Sequence, residues 1–333
     1  MSPAVTAKRA APALADIQAP VRDRLDAVAR ELHRAVAADF PLIDEVNGHL
    51  LLMKGKMFRP TLTLLASAVA ERPEARAVTL AAVVELVHLA TLVHDDSVDH
   101  SALRRGMPTI NSLFSHQVSV IMGDFLYSRA MVECVRGGDL EVLGVLADAT
   151  NAMTVGEMRQ LTSLDALQFS EDDYEELIRA KTASLLSAAC AIGALAGARE
   201  HREALARYGL QLGMAFQVAD DLLDYTSGES ETGKPGGLDL REHKVTLPLI
   251  HALRGLDGAP RREVEALFDE AEPGDARIAR VIEIVAERGG LDYARERGLA
   301  YAREAELALA RLPESAATAA LRDAIAYALD RSQ

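Results

Sequence analysis

Apolar residues recur every three or four positions along most of this chain, and runs in which apolar and polar residues alternate are absent. The first spacing is typical of α-helices that present one apolar face, whereas alternation is typical of half-buried β-strands. The chain is therefore predicted to be all-α, with ten or more helices joined mostly by short loops. Predicted breaks fall at Asn47-Gly48, Glu71-Arg72-Pro73, Gly106-Met107-Pro108, Gly137-Gly138, Ser170, Gly228 to Gly237, Gly258-Ala259-Pro260, Pro273-Gly274, Gly289-Gly290 and Pro313.

No long polar linker divides the chain, so residues 21–333 are predicted to form one domain. Residues 1–20 are rich in Ala and Pro, and we expect them to be frayed up to a helix that begins near Val21. Ser170 followed by Asp173 has the spacing of a capping box, which predicts that the acidic stretch after Ser170 starts a helix rather than binding metal.

The stretch "ELVHLATLVHDDSVD", residues 85–99, combines an apolar helix with a narrow polar line. Wound at 100° per residue, its polar positions follow spacings of 3, 3, 4 and 4 and share one face. These positions are Glu85, His88, Thr91, Asp95 and Asp99. A surface helix has a broad polar half, so this pattern indicates a buried helix that turns its polar line toward an internal cavity.

The same design recurs in "GMAFQVADDLLDY", residues 213–225, where Gln217, Asp220 or Asp221, and Asp224 lie on one side of an apolar helix. Buried carboxylates without a counter-charge tend to protonate, whereas a hard divalent cation satisfies several of them at once. Oxygen ligands alone favour magnesium. One such cluster could be a solvated helix end, but two on apolar helices argue against that. A ferritin-like site is disfavoured because the second stripe has no Glu-x-x-His pair.

Composition narrows the function further. The chain has 333 residues, 49% of them hydrophobic, and a formal net charge of −14, which argues against nonspecific nucleic-acid binding. No apolar run approaches the roughly 20 residues that span a bilayer. We therefore expect a cytoplasmic protein without stable membrane insertion, in which Cys134 and Cys190 are buried, reduced thiols.

Basic residues accompany both acidic clusters. They occur in "GKMFRP", "LRRGMP", "AKTASLL" and "TGKPGGLDLREHK", and they are Lys56, Arg59, Arg104, Arg105, Lys181, Lys234 and Lys244. Lys181 and Thr182 lie inside a long Ala- and Leu-rich helix where no surface face requires a charge, so both are expected to face the same cavity. Acidic clusters with magnesium, cations and apolar walls suit a ligand with a diphosphate head and a hydrocarbon tail. Magnesium would stabilise the departing diphosphate, and the resulting carbocation requires that water be excluded.

These motifs, in this order from residue 55 to residue 250, resemble the trans-type polyprenyl diphosphate synthases. "DDSVD" resembles that family's first aspartate-rich motif and "DDLLD" its second. The resemblance implies a large antiparallel helical bundle around a deep central cavity, generally a homodimer. It also implies three Mg²⁺ ions per active site, held by Asp95, Asp96, Asp99, Asp220, Asp221 and Asp224.

The resemblance further implies two substrates, isopentenyl diphosphate and an allylic diphosphate. Residues implied for isopentenyl diphosphate are Lys56, Arg59, His88 and Arg105. Those implied for the allylic partner are Arg104, Lys181, Thr182, Gln217 and Lys234, with Lys244 in the same basic loop. The allylic diphosphate would ionise and the isopentenyl double bond would attack. A proton would then be lost to the released diphosphate. Thr182 and the Gln217 carbonyl would stabilise the carbocation.

Three other functions agree less well with these motifs. A noncatalytic partner subunit normally lacks the aspartate motifs, both of which are intact here. A class I terpene cyclase usually has an Asn-Ser-Glu type second motif and lacks the Lys56, Arg59 and His88 set. A helical scaffold without chemistry would leave two buried acidic stripes unexplained.

Two positions depart from the family pattern, and a further three bear on product length. His243 replaces a common glycine, which puts the loop conformation and the position of Lys244 in question, and His100 replaces a residue that is often acidic. Ala90 and Thr91 are small, which predicts an open cavity and a product of geranylgeranyl length or longer, with a preference for a long chain. Met131 is a candidate for a deeper floor.

Overall fold

The structure, a computed structural model, describes residues 12–53, 55–162, 166–226 and 236–330. It is almost entirely helical, which confirms the predicted fold class. The first helices are α1 Leu14–Gln18, α2 Arg22–Val36, α3 Pro41–Leu52, α4 Phe58–Ala68, α5 Ala77–Val98, α6 Ile110–Leu113, α7 His116–Gly137 and α8 Leu140–Thr162. The remaining helices are α9 Glu171–Ile178, α10 Ser184–Leu195, α11 Arg202–Thr226, α12 Leu238–Arg241, α13 Leu247–Leu253, α14 Gly258–Phe268, α15 Asp275–Glu287, α16 Gly290–Leu309 and α17 Ala316–Leu329.

Short pieces of other structure join these helices. Turns of 3₁₀-helix cover Ala19–Val21, Ala166–Gln168 and Arg199–His201, and a π-helical turn covers Arg179–Ala183. Within the described residues, the sheet content is one antiparallel hairpin of β1 Leu103–Arg104 and β2 Met107–Pro108. Its two turn residues, Arg105 and Gly106, both have positive φ, as a tight hairpin turn requires.

The apolar helices form the centre of the molecule. Helix α5 packs against α2, α4 and α7, and α10 packs against α4, α8 and α11. Glycine lets α10 and α11 approach closely, because a Cβ at Gly209 would lie 2.4 Å from the Leu186 carbonyl oxygen. The buried apolar residues form one continuous cluster from Ile17 to Ala328.

Two helical segments, 77–98 and 171–195, are long and apolar enough to cross a membrane by composition. However, 67% and 61% of their most apolar windows are buried inside the protein. Core helices of water-soluble proteins show the same combination.

The N-terminal segment differs from the expectation. Residues 14–21 are helical, Ile17 is fully buried, and Val21 is nearly so. The predicted frayed segment therefore does not extend to residue 20, because apolar side chains in this stretch are buried against the core. Residues 1–11 lie outside the described ranges. At Ser170, the predicted capping box is confirmed: the Ser170 side chain accepts a hydrogen bond from the Asp173 N–H.

Candidate active site

The first aspartate motif ends α5, and its three carboxylates face different surroundings. Asp95 lines an apolar cavity and Asp99 a polar one. Burial raises the pKa of Asp95 to about 6. Asp96 is buried and accepts hydrogen bonds from Arg104 Nε at 2.8 and 2.9 Å, one to each carboxylate oxygen. Asp96 therefore fixes Arg104, while Asp95 and Asp99 face the cavities.

The second motif, on α11, is held in a hydrogen-bonded chain. The Tyr174 hydroxyl donates to Asp221 Oδ2 at 2.5 Å, and Gln217 Nε2 donates to Asp221 Oδ1 at 2.8 Å. The Thr182 hydroxyl in turn donates to Gln217 Oε1 at 2.7 Å. Asp221 is buried, which raises its pKa to about 7. Both of its oxygens thus have protein partners, a different environment from the open ligand that the sequence predicts.

Asp224, near the end of α11, bonds the backbone at the start of α12. Its two carboxylate oxygens accept the backbone N–H groups of Leu238 and Asp239, at 3.0 and 2.9 Å. This contact brings Asp239, which the sequence analysis missed, next to the second motif. Burial and the charge of Asp224 raise the pKa of Asp239 to about 6. Asp220 contributes to the same electrostatic environment, since its charge raises the pKa of both Asp221 and Asp239.

Both acidic clusters face one polar cavity of about 720 Å³. Asp99 lines it from the first motif, and Asp221 and Asp239 line it from the second. Within the described ranges, no three His, Cys, Asp or Glu side chains already form a closed metal site. Acids from both motifs line the cavity, an arrangement that suits cations which also take oxygen ligands from a substrate.

An apolar cavity of about 520 Å³ adjoins the acidic end of α5. Its walls come from α5, α7 and α8, with Lys181 at the border. They are formed by Val87, Ala90, Thr91, His94, Asp95, Asp124, Tyr127, Ala147, Thr150, Asn151, Met153, Thr154, Glu157 and Lys181. Lys181 lines the polar cavity as well, so it lies where the two spaces meet.

The sequence predicts that Lys181 and Thr182 lie inside a continuous α-helix, but the structure interrupts the α-helix at both residues. They lie in the π-helical turn Arg179–Ala183, and such turns are frequent at functional sites. The Lys181 ammonium contacts Glu157 at 2.5 Å and Gln160 at 2.7 Å. These two α8 residues were missed, although their spacing of three in "GEMRQ" places them on one helix face.

The turn packs closely on α8. A Cβ at Gly156 would lie only 2.7 Å from the Ala180 Cβ and 3.3 Å from the Lys181 Cγ. Glycine is thus the residue that permits this approach of the two helices.

A second basic group lies beside the middle of α5. Arg59 Nη1 donates to His88 Nε2 at 3.0 Å. Burial and the neighbouring Arg59 keep the pKa of His88 well below its usual value, so His88 is neutral. Glu85 is buried beneath them, with its pKa raised by desolvation. A Cβ at Gly55 would lie 3.1 Å from Arg105 Nη1 and 3.5 Å from Glu85 Oε1, so Arg105 and Glu85 both approach this glycine.

The part of the basic loop that follows α12 contains His243 and Lys244, and the structure describes both residues. His243 has a φ of 55°, in the left-handed region that favours glycine. Its Nε2 donates to the Glu270 carbonyl at 2.9 Å, and its ring lies against Phe268. These contacts compensate for the strained backbone. Lys244 lines the polar cavity, and its ammonium contacts Glu242 at 2.6 Å. Lys234 lies outside the described residues.

The predicted determinants of product length fare differently. Ala90 and Thr91 both line the apolar cavity. Met131 is not part of this lining: it packs against the core one turn beyond Tyr127, which lines the cavity from α7 together with Asp124. The Tyr127 and Thr150 hydroxyls are 3.3 Å apart in this lining. Met131 is half-buried, and the cavity lining gives no support to its predicted role as a deeper floor, so Tyr127 is the candidate in its place.

Comparison with known proteins defines the class. Residues 40–285 match the polyprenyl synthetase family. An all-trans-nonaprenyl-diphosphate synthase (geranyl-diphosphate specific) from Rhodobacter capsulatus is 39% identical over 320 residues, covering 96% of this chain and 98% of the relative. The octaprenyl diphosphate synthase of Escherichia coli is 38% identical over 264 residues, 78% of this chain and 81% of the relative.

A solved structure leads to the same family. The polyprenyl synthase of Caulobacter crescentus, complexed with calcium and isoprenyl diphosphate, superimposes with a TM-score of 0.90 at 35% identity, covering 98% of this chain and 100% of that one. This chain belongs to the polyprenyl synthetase family, as its motifs predicted. It is a prenyltransferase of the prenyl diphosphate synthase type, a family that uses a divalent metal and isoprenyl diphosphate substrates.

Proposed function

We propose that this protein joins isopentenyl diphosphate head to tail, in trans geometry, to an allylic diphosphate, giving a polyprenyl diphosphate of geranylgeranyl length or longer. One observation carries the proposal. Two acidic clusters and several cations surround a polar cavity, and Lys181 links that cavity to an apolar one beside α5.

The donor set fits Mg²⁺, and the proposal includes three ions per site. Asp95, Asp99 and Asp220 supply hard carboxylate oxygens from two helices, which are the ligands that Mg²⁺ prefers, and partial burial of Asp95 makes a cation a favourable partner for its carboxylate. Bound magnesium would neutralise charge on the departing diphosphate. The other three aspartates would hold surrounding groups in place. Asp96 bonds Arg104, and Asp221 bonds both Tyr174 and Gln217. Asp224 bonds the backbone at residues 238–239.

The chain's own groups divide between the two substrates. Arg104, Lys181, Lys234 and Lys244 would hold the allylic diphosphate, with Lys181 oriented by Glu157 and Gln160. The second set, for isopentenyl diphosphate, is Lys56, Arg59, His88 and Arg105. Neutral His88 can donate through one ring nitrogen while the other accepts from Arg59.

The reaction would proceed by breaking the allylic C–O bond, whose electron pair leaves with diphosphate. The isopentenyl double bond forms the new C–C bond, and the resulting cation loses a proton to the released diphosphate. The Thr182 hydroxyl orients the Gln217 carbonyl, so both oxygens would present negative partial charge to the cation. The apolar walls around Ala90 and Thr91 would exclude water from it.

A long-chain product is supported by two considerations. Small side chains at Ala90 and Thr91 leave space along α5, and relatives of similar sequence are named octaprenyl and nonaprenyl diphosphate synthases. The proposed cavity would accept the growing tail as far as Tyr127 and Thr150.

The protein is proposed to act in the cytoplasm as a homodimer. Exposed apolar side chains cluster on α7 and α8: Ile121, Val132, Val135, Leu140, Val155, Met158 and Leu161. A patch of this kind is typical of a surface covered by another chain. One relative is named heptaprenyl diphosphate synthase component 2, so a second kind of subunit is the alternative occupant.

The test is to incubate the purified chain alone with Mg²⁺, isopentenyl diphosphate and allylic primers of increasing length, and to size the products. Products longer than the primer by whole isoprene units are expected. If no product forms with any primer, the proposed activity of the isolated chain is wrong; activity that appears only with a second subunit would favour the heteromeric alternative.

A further inference from the structure

The first and last described helices meet at the segment that carries Lys56. Helices α1 and α17 lie outside residues 40–285, the region that matches the family, yet they contact each other and flank this segment. The segment itself is bent, because Met57 has a φ of 52°, in the left-handed region that a side chain disfavours. Such a conformation persists only where surrounding contacts hold it.

The contacts on one side come from α1. The side-chain amide of Gln18 donates to the Lys56 carbonyl at 3.0 Å and to the Thr61 hydroxyl at 3.2 Å. The Thr61 hydroxyl donates to the Met57 carbonyl at 2.7 Å. The neighbouring Ile17 is fully buried, which fixes α1 in position. Gln18 thus bonds both ends of the bend.

The contacts on the other side come from α17. The Lys56 ammonium lies 5.7 Å from the centroid of the Tyr327 ring, within the range of a cation–π contact. Tyr327 is only 9% exposed, and its ring centroid lies 5.7 Å from that of Phe58, which stacks on Phe216 of α11. The ring that faces the ammonium is therefore held by the core.

We propose that Gln18 and Tyr327 are positioning residues that hold Lys56 ready to bind the diphosphate of isopentenyl diphosphate. This inference rests on the proposed function of Lys56. Gln18 fixes the backbone of the segment, and the electron-rich face of Tyr327 restricts where the flexible lysine side chain lies. Neither residue lines the polar cavity, so replacing either one should leave binding of the allylic substrate unchanged.

The experiment compares Tyr327→Phe, Tyr327→Leu and Gln18→Met with the wild type. Phe keeps the aromatic face, so Tyr327→Phe should retain the wild-type KM for isopentenyl diphosphate. Tyr327→Leu and Gln18→Met should each raise that KM by about threefold to tenfold, with little change in the KM for the allylic primer. Equal KM values for Tyr327→Leu and wild type, or a rise for Tyr327→Phe as large as for Tyr327→Leu, would overturn the role of the ring.

A double-mutant cycle with Lys56→Ala separates this role from a general packing defect. If Tyr327 acts through Lys56, Tyr327→Leu adds nothing once Lys56 is gone. An undiminished effect in the Lys56→Ala background overturns the proposal. Calorimetric binding of isopentenyl diphosphate to wild type and Lys56→Ala tests the underlying site itself. Binding that Lys56→Ala does not weaken refutes the proposed role of Lys56, whereas binding that Lys56→Ala weakens but Tyr327→Leu and Gln18→Met leave intact refutes only the positioning role. Thermal unfolding of each variant shows whether it folds.

Discussion

Five of the six motif aspartates fall into two groups by what surrounds their oxygens. Asp96, Asp221 and Asp224 each accept hydrogen bonds at both oxygens from groups of the protein. Asp95 and Asp99 line the cavities instead. A single spacing pattern thus supplies both the proposed cation ligands and the carboxylates that hydrogen-bond neighbouring groups of the protein.

Replacing a ligand should affect turnover far more than replacing an exposed acid. Asp95→Ala removes part of the proposed clamp on the leaving group, and we expect turnover to fall about 100-fold or more. Asp172→Asn, an exposed acid in the first turn of α9, is the matched control and should retain turnover. Steady-state assays at saturating Mg²⁺ compare the two. Similar turnover in both variants would contradict the role of Asp95.

Half-buried, neutral His88 predicts a pH dependence of the free energy of unfolding. Its pKa lies well below the ordinary 6.5, so below that pH the unfolded chain takes up a proton at this residue and the folded protein does not. The free energy of unfolding therefore falls as the pH drops, by at most about 1.4 kcal/mol per pH unit from this group. His88→Gln should show a shallower fall between about pH 6.5 and pH 5 in urea unfolding. Parallel curves for variant and wild type would rule out this contribution.

Helix periodicity predicted α5, α11 and their acidic stripes, because helix geometry alone decides which residues share a face. It could not predict the partners of those acids. Tyr174 bonds Asp221 from 47 residues away, and Arg104 meets Asp96 only because a hairpin folds back on α5. The π-helical turn at Lys181 was also missed, since its composition is that of an ordinary helix.

The contact between α8 and the π-helical turn can be tested with one methyl group. In Gly156→Ala, the new Cβ would crowd Ala180, and overpacking of this kind costs about 1–3 kcal/mol. To relieve this crowding, the π-helical turn should move away from α8 and displace Lys181, and turnover should fall by about tenfold to 100-fold. Gly48→Ala, at an exposed glycine inside α3 with no atom within 4 Å of the new Cβ, is the control. It should keep full turnover and gain up to about 1 kcal/mol of stability. Equal turnover in the two variants would show that the contact does not position Lys181.

The face of α5 below the first motif is expected to limit the tail. Ala90→Phe would fill part of the apolar cavity, so the product distribution should shift to shorter chains while the first condensation continues. Met131→Ala, at a residue that does not line the cavity, should leave the distribution unchanged. Chromatographic sizing of the products distinguishes these outcomes; an unaltered distribution for Ala90→Phe would mean that the tail follows another route.

The intact protein should associate through α7 and α8. Ile121 is one of the apolar side chains of that face and is 62% exposed. A charge introduced at this position would be costly to bury in an interface. We expect Ile121→Glu to shift a wild-type dimer toward monomer in sedimentation velocity. Leu307→Glu, at a leucine that is 64% exposed on α16, should leave the dimer intact. A monomeric wild type, or equal sedimentation of both variants, would contradict association through this face.

The hydrogen-bonded chain from Thr182 through Gln217 and Asp221 to Tyr174 joins three segments of the bundle around the polar cavity. The cavity beside α5, by contrast, includes small side chains and one cross-wall contact between hydroxyls. The molecule thus places a cavity whose walls are joined by hydrogen bonds beside a second cavity that is lined partly by small side chains. A synthase that adds several isoprene units in succession needs this asymmetry. Every round must present the same reacting carbon in the same pose, while the hydrocarbon chain behind it grows by five carbon atoms.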